Sequence, residues 1–142
     1  MKRILFTAIL LFAASFTFAQ KFSPEEYRHK FETYVAEKAE LTKEESVRFF
    51  PLYQEMKDKQ RMYFHEIRGI TRRTDVANTS EASFRQLNDR ITELNIEIEK
   101  VEQEYLQKFR KVISDRKYFL VRRAEASFQN QELRSTQQRK PN

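Results

Sequence analysis

His29 is the residue of this sequence that comes closest to a metal site. Glutamates at positions 25, 26 and 32 lie within helical reach of it, and imidazole with carboxylates can hold a divalent metal. In most proteins, however, such a histidine is a surface residue paired with an acid. We therefore predict no metal site and no cofactor.

The second histidine also fails as a catalytic motif. His65 and Glu66 begin like the zinc motif HExxH, but Gly69 stands where the second histidine is required. The chain has no cysteine and one glycine, which excludes a thiol nucleophile and a glycine-rich phosphate loop. Its carboxylates follow spacings that helix capping and ion pairs explain. We predict that the protein is not an enzyme.

The N-terminal segment is typical of a secretory signal. Lys2 and Arg3 precede an apolar run from Ile4 to Ala14, and the segment ends with small residues at Thr17 and Ala19. A membrane anchor is the alternative, but the run is shorter than the roughly 20 residues that a span requires. We predict a cleaved signal peptide over residues 1–19, with the cut near Ala19/Gln20, and an exported protein.

Charge is unevenly distributed along the remaining chain. From Gln107 onward there are 10 basic and 3 acidic residues. Export argues against nucleic acid as the partner of this basic end. Unfolded chains, lipid head groups or the acidic face of another subunit are the candidates, and a solvated helix face is the alternative.

Apolar periodicity and capping residues predict four helices, with no segment that reads as a strand. They run from Pro24 to about Ala39, from Thr42 to about Arg72, from about Glu81 to Ile113, and from Ser114 to Asn130. Residues 20–130 are thus one helical domain, and the polar residues 131–142 a flexible tail. The predicted fold class is all-α, with two long helices.

The two long helices carry heptad seams, which the chain can bury in more than one way. One seam is Phe49, Tyr53, Met56, Gln60, Tyr63, Ile67 and Ile70, and the other is Phe84, Leu87, Ile91, Leu94, Ile98, Val101 and Tyr105. Both seams would be buried by an antiparallel bundle within one chain or by an assembly of two chains. The outer helices look too short to cover the inner ones, so we favour an elongated, curved dimer.

Pro51 stands inside the second predicted helix. Its nitrogen cannot donate to the carbonyl of Val47, and its ring crowds that carbonyl. Because the seam continues on both sides of Pro51, we predict a bend in the helix and no break.

This helix has more apolar residues than its seam can use. Phe50 and Phe64 flank the seam, and they either pack against the outer helices or form an exposed aromatic surface. On the second alternative, the protein-binding residues are Phe50, Met62, Phe64, Arg61 and Arg68, with Arg122 and Arg123 of the fourth helix.

Two short motifs resemble those of a known family. LTKEE, with Leu41 and Thr42, and ISDRK, with Ile113 and Ser114, are similar to the paired LTxxQ motifs of the Spy and CpxP family of periplasmic stress proteins. Glutamate and lysine stand where those motifs have glutamine. The resemblance covers nearly the whole chain after the signal.

The resemblance implies a cradle-shaped antiparallel homodimer in the periplasm. Members of the family include a chaperone that binds unfolded clients on a concave, basic and partly apolar face without ATP. We expect an ATP-independent chaperone or envelope-stress adaptor, with no nucleic acid partner and no stable membrane insertion. The alternatives are a regulatory subunit that docks on the periplasmic domain of a membrane sensor and a structural coiled-coil oligomer.

Overall fold

The structure, a computed structural model, describes residues 23–138, which form four α-helices and contain no strand. The helices are α1 (Pro24–Lys38), α2 (Lys43–Arg73), α3 (Glu81–Phe109) and α4 (Asp115–Gln138). The all-α prediction is confirmed. The predicted signal peptide, residues 1–19, lies outside the described residues. No helix within 23–138 is long and apolar enough to cross a membrane.

Side-chain caps begin the helices at the predicted positions. At α2, the Glu45 amide donates to Thr42 Oγ1 at 3.1 Å, and the Thr42 amide donates to Glu45 Oε2 at 2.8 Å. Ser23 and Ser80 cap α1 and α3, and Ser114 Oγ accepts from the Lys117 amide at 3.3 Å. Each hydroxyl satisfies a backbone donor that the first helical turn leaves without a partner.

A left-handed residue ends α1 and turns the chain into α2. Glu40 has φ 56°, a conformation that usually favours glycine. The Leu41 amide donates to the Ala36 carbonyl at 2.9 Å, and the Glu40 amide donates to Glu37 at 3.3 Å. These two bonds are those of a Schellman motif. The Glu40 side chain is held by Arg116 of α4 at 2.8 Å.

The long helices α2 and α3 form an antiparallel hairpin with a seam that is buried only at one end. Phe49, Tyr53 and Met56 of α2 are buried, as are Tyr105 and Phe109 of α3. The last buried level is Gln60, whose Nε2 donates to the Ile98 carbonyl at 3.1 Å, beside the buried Leu94.

Past that level the predicted seam residues are only half-buried, because the other two helices pack elsewhere. These residues are Tyr63, Ile67, Ile70, Phe84, Leu87 and Ile91. We call residues 61–93, which include the loop between the two helices, the distal hairpin.

The outer helices α1 and α4 pack against each other through an aromatic cluster. The buried Phe128 ring lies 5.5 Å from Tyr27, 5.4 Å from Phe31 and 5.5 Å from Tyr34, centroid to centroid. Aromatic pairs at these distances add to the energy of burial. Lys30 forms an ion pair with Glu132.

The two helix pairs are joined through a second aromatic cluster. Phe109 lies 4.9 Å from Phe49 and 5.1 Å from Tyr118, and Phe31 stacks on Tyr53 at 5.6 Å. These contacts fix α1 and α4 over the N-terminal part of α2 and the C-terminal part of α3. In the distal hairpin α2 and α3 therefore pack on each other without cover from α1 or α4.

Two predicted boundaries differ from the structure. α4 continues to Gln138 and does not end at Asn130, so residues 131–138 are helical and not part of a flexible tail. The reason is contact with α1: Gln131 Nε2 donates to the Tyr34 hydroxyl at 3.2 Å. α3 ends at Phe109 and not at Ile113, because a tight turn follows it in which the Val112 amide donates to the Phe109 carbonyl at 2.8 Å.

Pro51 lies inside α2, which runs through it as one helix, as predicted. The bend at this residue, the curvature of the fold and the dimer stay predictions.

Candidate protein-binding surfaces

One exposed surface combines an aromatic ring with arginines on the distal part of α2. Phe64 is 46% exposed, and Arg61 and Arg68 precede and follow it by three and four positions. Such spacings place side chains on one face of a helix. We call these three residues the arm patch. They are part of the predicted protein-binding set.

The charges of the arm patch are only partly compensated. Arg61 Nη2 lies 2.8 Å from Asp58 Oδ1, one turn earlier on the same helix. Arg68 is exposed and has no ion-pair partner among residues 23–138. Glu66, the nearest acid in sequence, is instead 2.8 Å from Arg90 Nε of α3. A guanidinium without a carboxylate is available to a partner that carries negative charge.

Met62 is exposed but belongs to another face of α2. Its side chain is 74% exposed, and it lies about 200° around the helix from Phe64, since the two are two positions apart. It borders a groove with Lys59, Lys100 and Glu104. The structure therefore does not place Met62 beside the arm patch.

Phe50 is not on the exposed surface that we predicted. It is only 8% exposed and packs edge to face on Phe49 at 5.4 Å. The cause is α1, which covers this flank of α2 but does not extend to Phe64. Of the two alternatives given for these phenylalanines, packing holds for Phe50 and exposure for Phe64.

The two arginines of α4 lie apart from the arm patch. Arg122 Nη1 is 3.5 Å from Glu102 Oε1 of α3 and lines a groove of about 570 Å³ with Ile96 and Leu106. Arg123 is exposed and has no acidic partner within the part of the chain that the structure describes. Both are on the surface, as predicted, but the structure distributes the predicted set over several faces.

The residues of the two family-like motifs come together at the joined end of the fold. Leu41 packs against the core, Ile113 is buried, and Thr42 and Ser114 are caps. Lys117 Nζ lies 2.5 Å from Glu45 Oε2, which links the two motifs directly. This lysine and the Thr42 amide lower the pKa of the Glu45 carboxyl. The motifs thus have a structural role here.

One groove of the fold was not expected from the sequence. It has a volume of about 740 Å³ and lies between α1 and α2. Its lining includes Ala36, Val47, Phe50, Pro51, Glu55 and Asp58. Val47 is 67% exposed. A groove formed by two helices depends on how they pack, which the sequence pattern of either helix alone does not give.

Polar groups in the core contribute to packing. Tyr118 donates its hydroxyl to Glu102 Oε1 at 3.0 Å, and burial raises its pKa. Burial, with the nearby Glu125 carboxylate, also raises the pKa of Tyr53.

Between residues 23 and 138 no three histidine, aspartate or glutamate side chains are grouped as a metal site. That the protein is not an enzyme stays a prediction.

Comparison with known proteins finds no family model, no curated protein and no solved structure that matches this chain.

Proposed function

We propose that the protein is an exported, ATP-independent binding protein for other polypeptides, either a chaperone for unfolded chains or an envelope-stress adaptor. The observation that carries the proposal is the arm patch. A half-exposed aromatic ring between two arginines offers a partner both apolar contact and positive charge on one helix face. Aromatic and arginine residues are enriched where proteins bind one another.

The chemistry of the patch supports weak, adaptable binding. Arg61 and Arg68 attract chains with negative charge over a distance and speed encounter. Phe64 then buries apolar area against the client. Salt screens the first contribution and not the second. Binding is therefore expected to weaken, but not to vanish, as ionic strength rises.

The half-exposed seam of the distal hairpin supports a homodimer. Six apolar residues there remain partly in water at heptad spacing, and a second copy would bury them as a coiled coil does. This part of the proposal concerns assembly and is tested by sedimentation at several protein concentrations. Ile67→Glu is expected to shift a dimer to monomer, whereas Met62→Glu, on another face, is expected not to.

A regulatory subunit for a membrane sensor would use the same kind of surface. It differs from a general chaperone in its range of partners. The test is aggregation of a chemically unfolded, unrelated protein diluted into buffer without nucleotide and with a chelator. Suppression at near-stoichiometric ratio supports general client binding. No suppression by folded protein contradicts it and favours a single specific partner.

A further inference from the structure

The groove between α1 and α2 contains a backbone acceptor that the helix cannot satisfy. Pro51 has no N–H, so the carbonyl of Val47, four residues earlier, has no helical donor. Both residues line the groove. Pro51 is exposed and Val47 is 67% exposed, so the carbonyl is within reach of a partner that enters. Water can reach this acceptor in the free protein, and the N–H of a bound segment would take the place of that water.

Around this acceptor the groove is apolar below and acidic at its rim. Phe50 and Ala36 also line it, and both are less exposed than Val47 and Pro51. Glu55 is exposed and forms no direct ion pair in the described range, since the nearby Lys59 Nζ contacts Glu104 at 3.7 Å.

The other charges of the lining largely compensate one another. Arg28 Nε is 3.9 Å from Glu32 Oε1, and Asp58 pairs with Arg61. The excess charge facing an occupant is therefore negative, and Glu55 contributes most of it.

From this geometry we infer that the groove binds a polypeptide segment that carries apolar side chains next to a lysine or arginine, with a backbone N–H of the segment donating to the Val47 carbonyl. Charge complementarity selects the occupant: the apolar side chain fills the space above Phe50, and the cation lies against Glu55. The inference rests on the proposed function and deepens it, because the arm patch and the groove then bind opposite charges. A client with both kinds of segment would engage both surfaces.

The experiment measures fluorescence anisotropy of the purified protein with a labelled, unstructured peptide of leucine, serine and lysine. A peptide with glutamate in place of lysine is the matched probe. Both peptides are measured on Phe64→Ser, because the intact arm patch would itself attract the glutamate peptide. The lysine peptide is expected to bind this variant, and the glutamate peptide to bind it at least tenfold more weakly. Equal affinity for the two peptides, or no binding of the lysine peptide, would overturn the inference.

Two variants test the residues named. Glu55→Lys is expected to weaken the lysine peptide about tenfold, while Asp89→Lys, an exposed position on α3, leaves its affinity unchanged. Pro51→Ala restores the N–H that bonds Val47 and is expected to weaken the peptide about two- to tenfold, the effect of one hydrogen bond. Unchanged affinity in Pro51→Ala would overturn the assignment of the carbonyl.

Failure of the groove and failure of the proposed function give different results. Phe64→Ser is expected to leave the lysine peptide bound as before, since Phe64 is outside the groove. If the protein suppresses aggregation but does not bind the lysine peptide, only the groove assignment is wrong. If Glu55→Lys changes the oligomeric state and the peptide does not bind, a second copy occupies the groove, which also overturns the inference.

Discussion

Replacing Pro51 with alanine is expected to stabilise the protein by about 2 to 3 kcal/mol. The structure gives the reason. Pro51 lies in the interior of α2, so its missing N–H and its ring destabilise the helix as they do at any interior position. It is also exposed, so alanine removes little packing. Alanine restores the bond to the Val47 carbonyl, and the helix already runs through this position.

The assay is urea unfolding followed by far-ultraviolet circular dichroism at one fixed protein concentration. The midpoint is expected to rise with an unchanged slope, and the melting temperature to rise by roughly 4 °C per kcal/mol for a chain of this size. Glu99→Ala, an exposed position on α3, is the control and should change stability by less than about 0.5 kcal/mol. A midpoint that stays the same or falls in Pro51→Ala would refute the reasoning.

Three further predictions concern the core, the acid side of the pH range and the hairpin. Phe128→Ala, at the centre of the cluster between α1 and α4, should lower the free energy of unfolding by about 3 to 5 kcal/mol. Phe119 is 62% exposed, so Phe119→Ala should change the free energy of unfolding by less than about 0.5 kcal/mol. Equal losses of stability in the two variants would contradict the packing of Phe128 between α1 and α4. The lowered pKa of Glu45 means that its stabilisation is complete above the unfolded value of about 4.3 and is lost as pH falls through the folded value. The urea midpoint of Glu45→Gln should therefore fall less on acidification than that of the parent protein, and an equal fall would refute the ion pair. Gln60→Leu should stabilise by about 1 kcal/mol, because burial of the new side chain outweighs the bond to the Ile98 carbonyl; a lower urea midpoint would contradict this.

The helices and their starts could be predicted because they depend on local chemistry. The Thr42 capping box needs only residues three positions apart, and the seam through Tyr53 and Met56 follows from helical period. The end of α4 could not be predicted in the same way. Its last turns are stabilised by contacts with α1, such as Gln131 with Tyr34, which are distant in sequence.

The protein-binding surface could be predicted only in part, because it too depends on contacts between helices that are distant in sequence. Phe50 and Phe64 are equivalent on a drawing of one helix, because they are fourteen positions apart. Only the packing of α1 distinguishes them, since it covers the first and not the second. Met62 was included because of its nearness in sequence, although helical geometry alone separates it from Phe64. The groove at Pro51 is formed by the packing of α1 on α2, and the sequence pattern of neither helix predicts it.

The most direct test of the proposed function is the affinity of the protein for a chemically unfolded client, measured for Phe64→Ser and for Leu133→Ser. Leu133 is also an exposed apolar residue, but it lies on α4 outside the arm patch and has no arginine three or four positions away. We predict that Phe64→Ser weakens binding about tenfold and that Leu133→Ser leaves it within twofold of the parent protein. Arg68→Ser is also expected to weaken binding at low salt. Equal affinity in all the variants, with the fold intact by circular dichroism, would contradict the account.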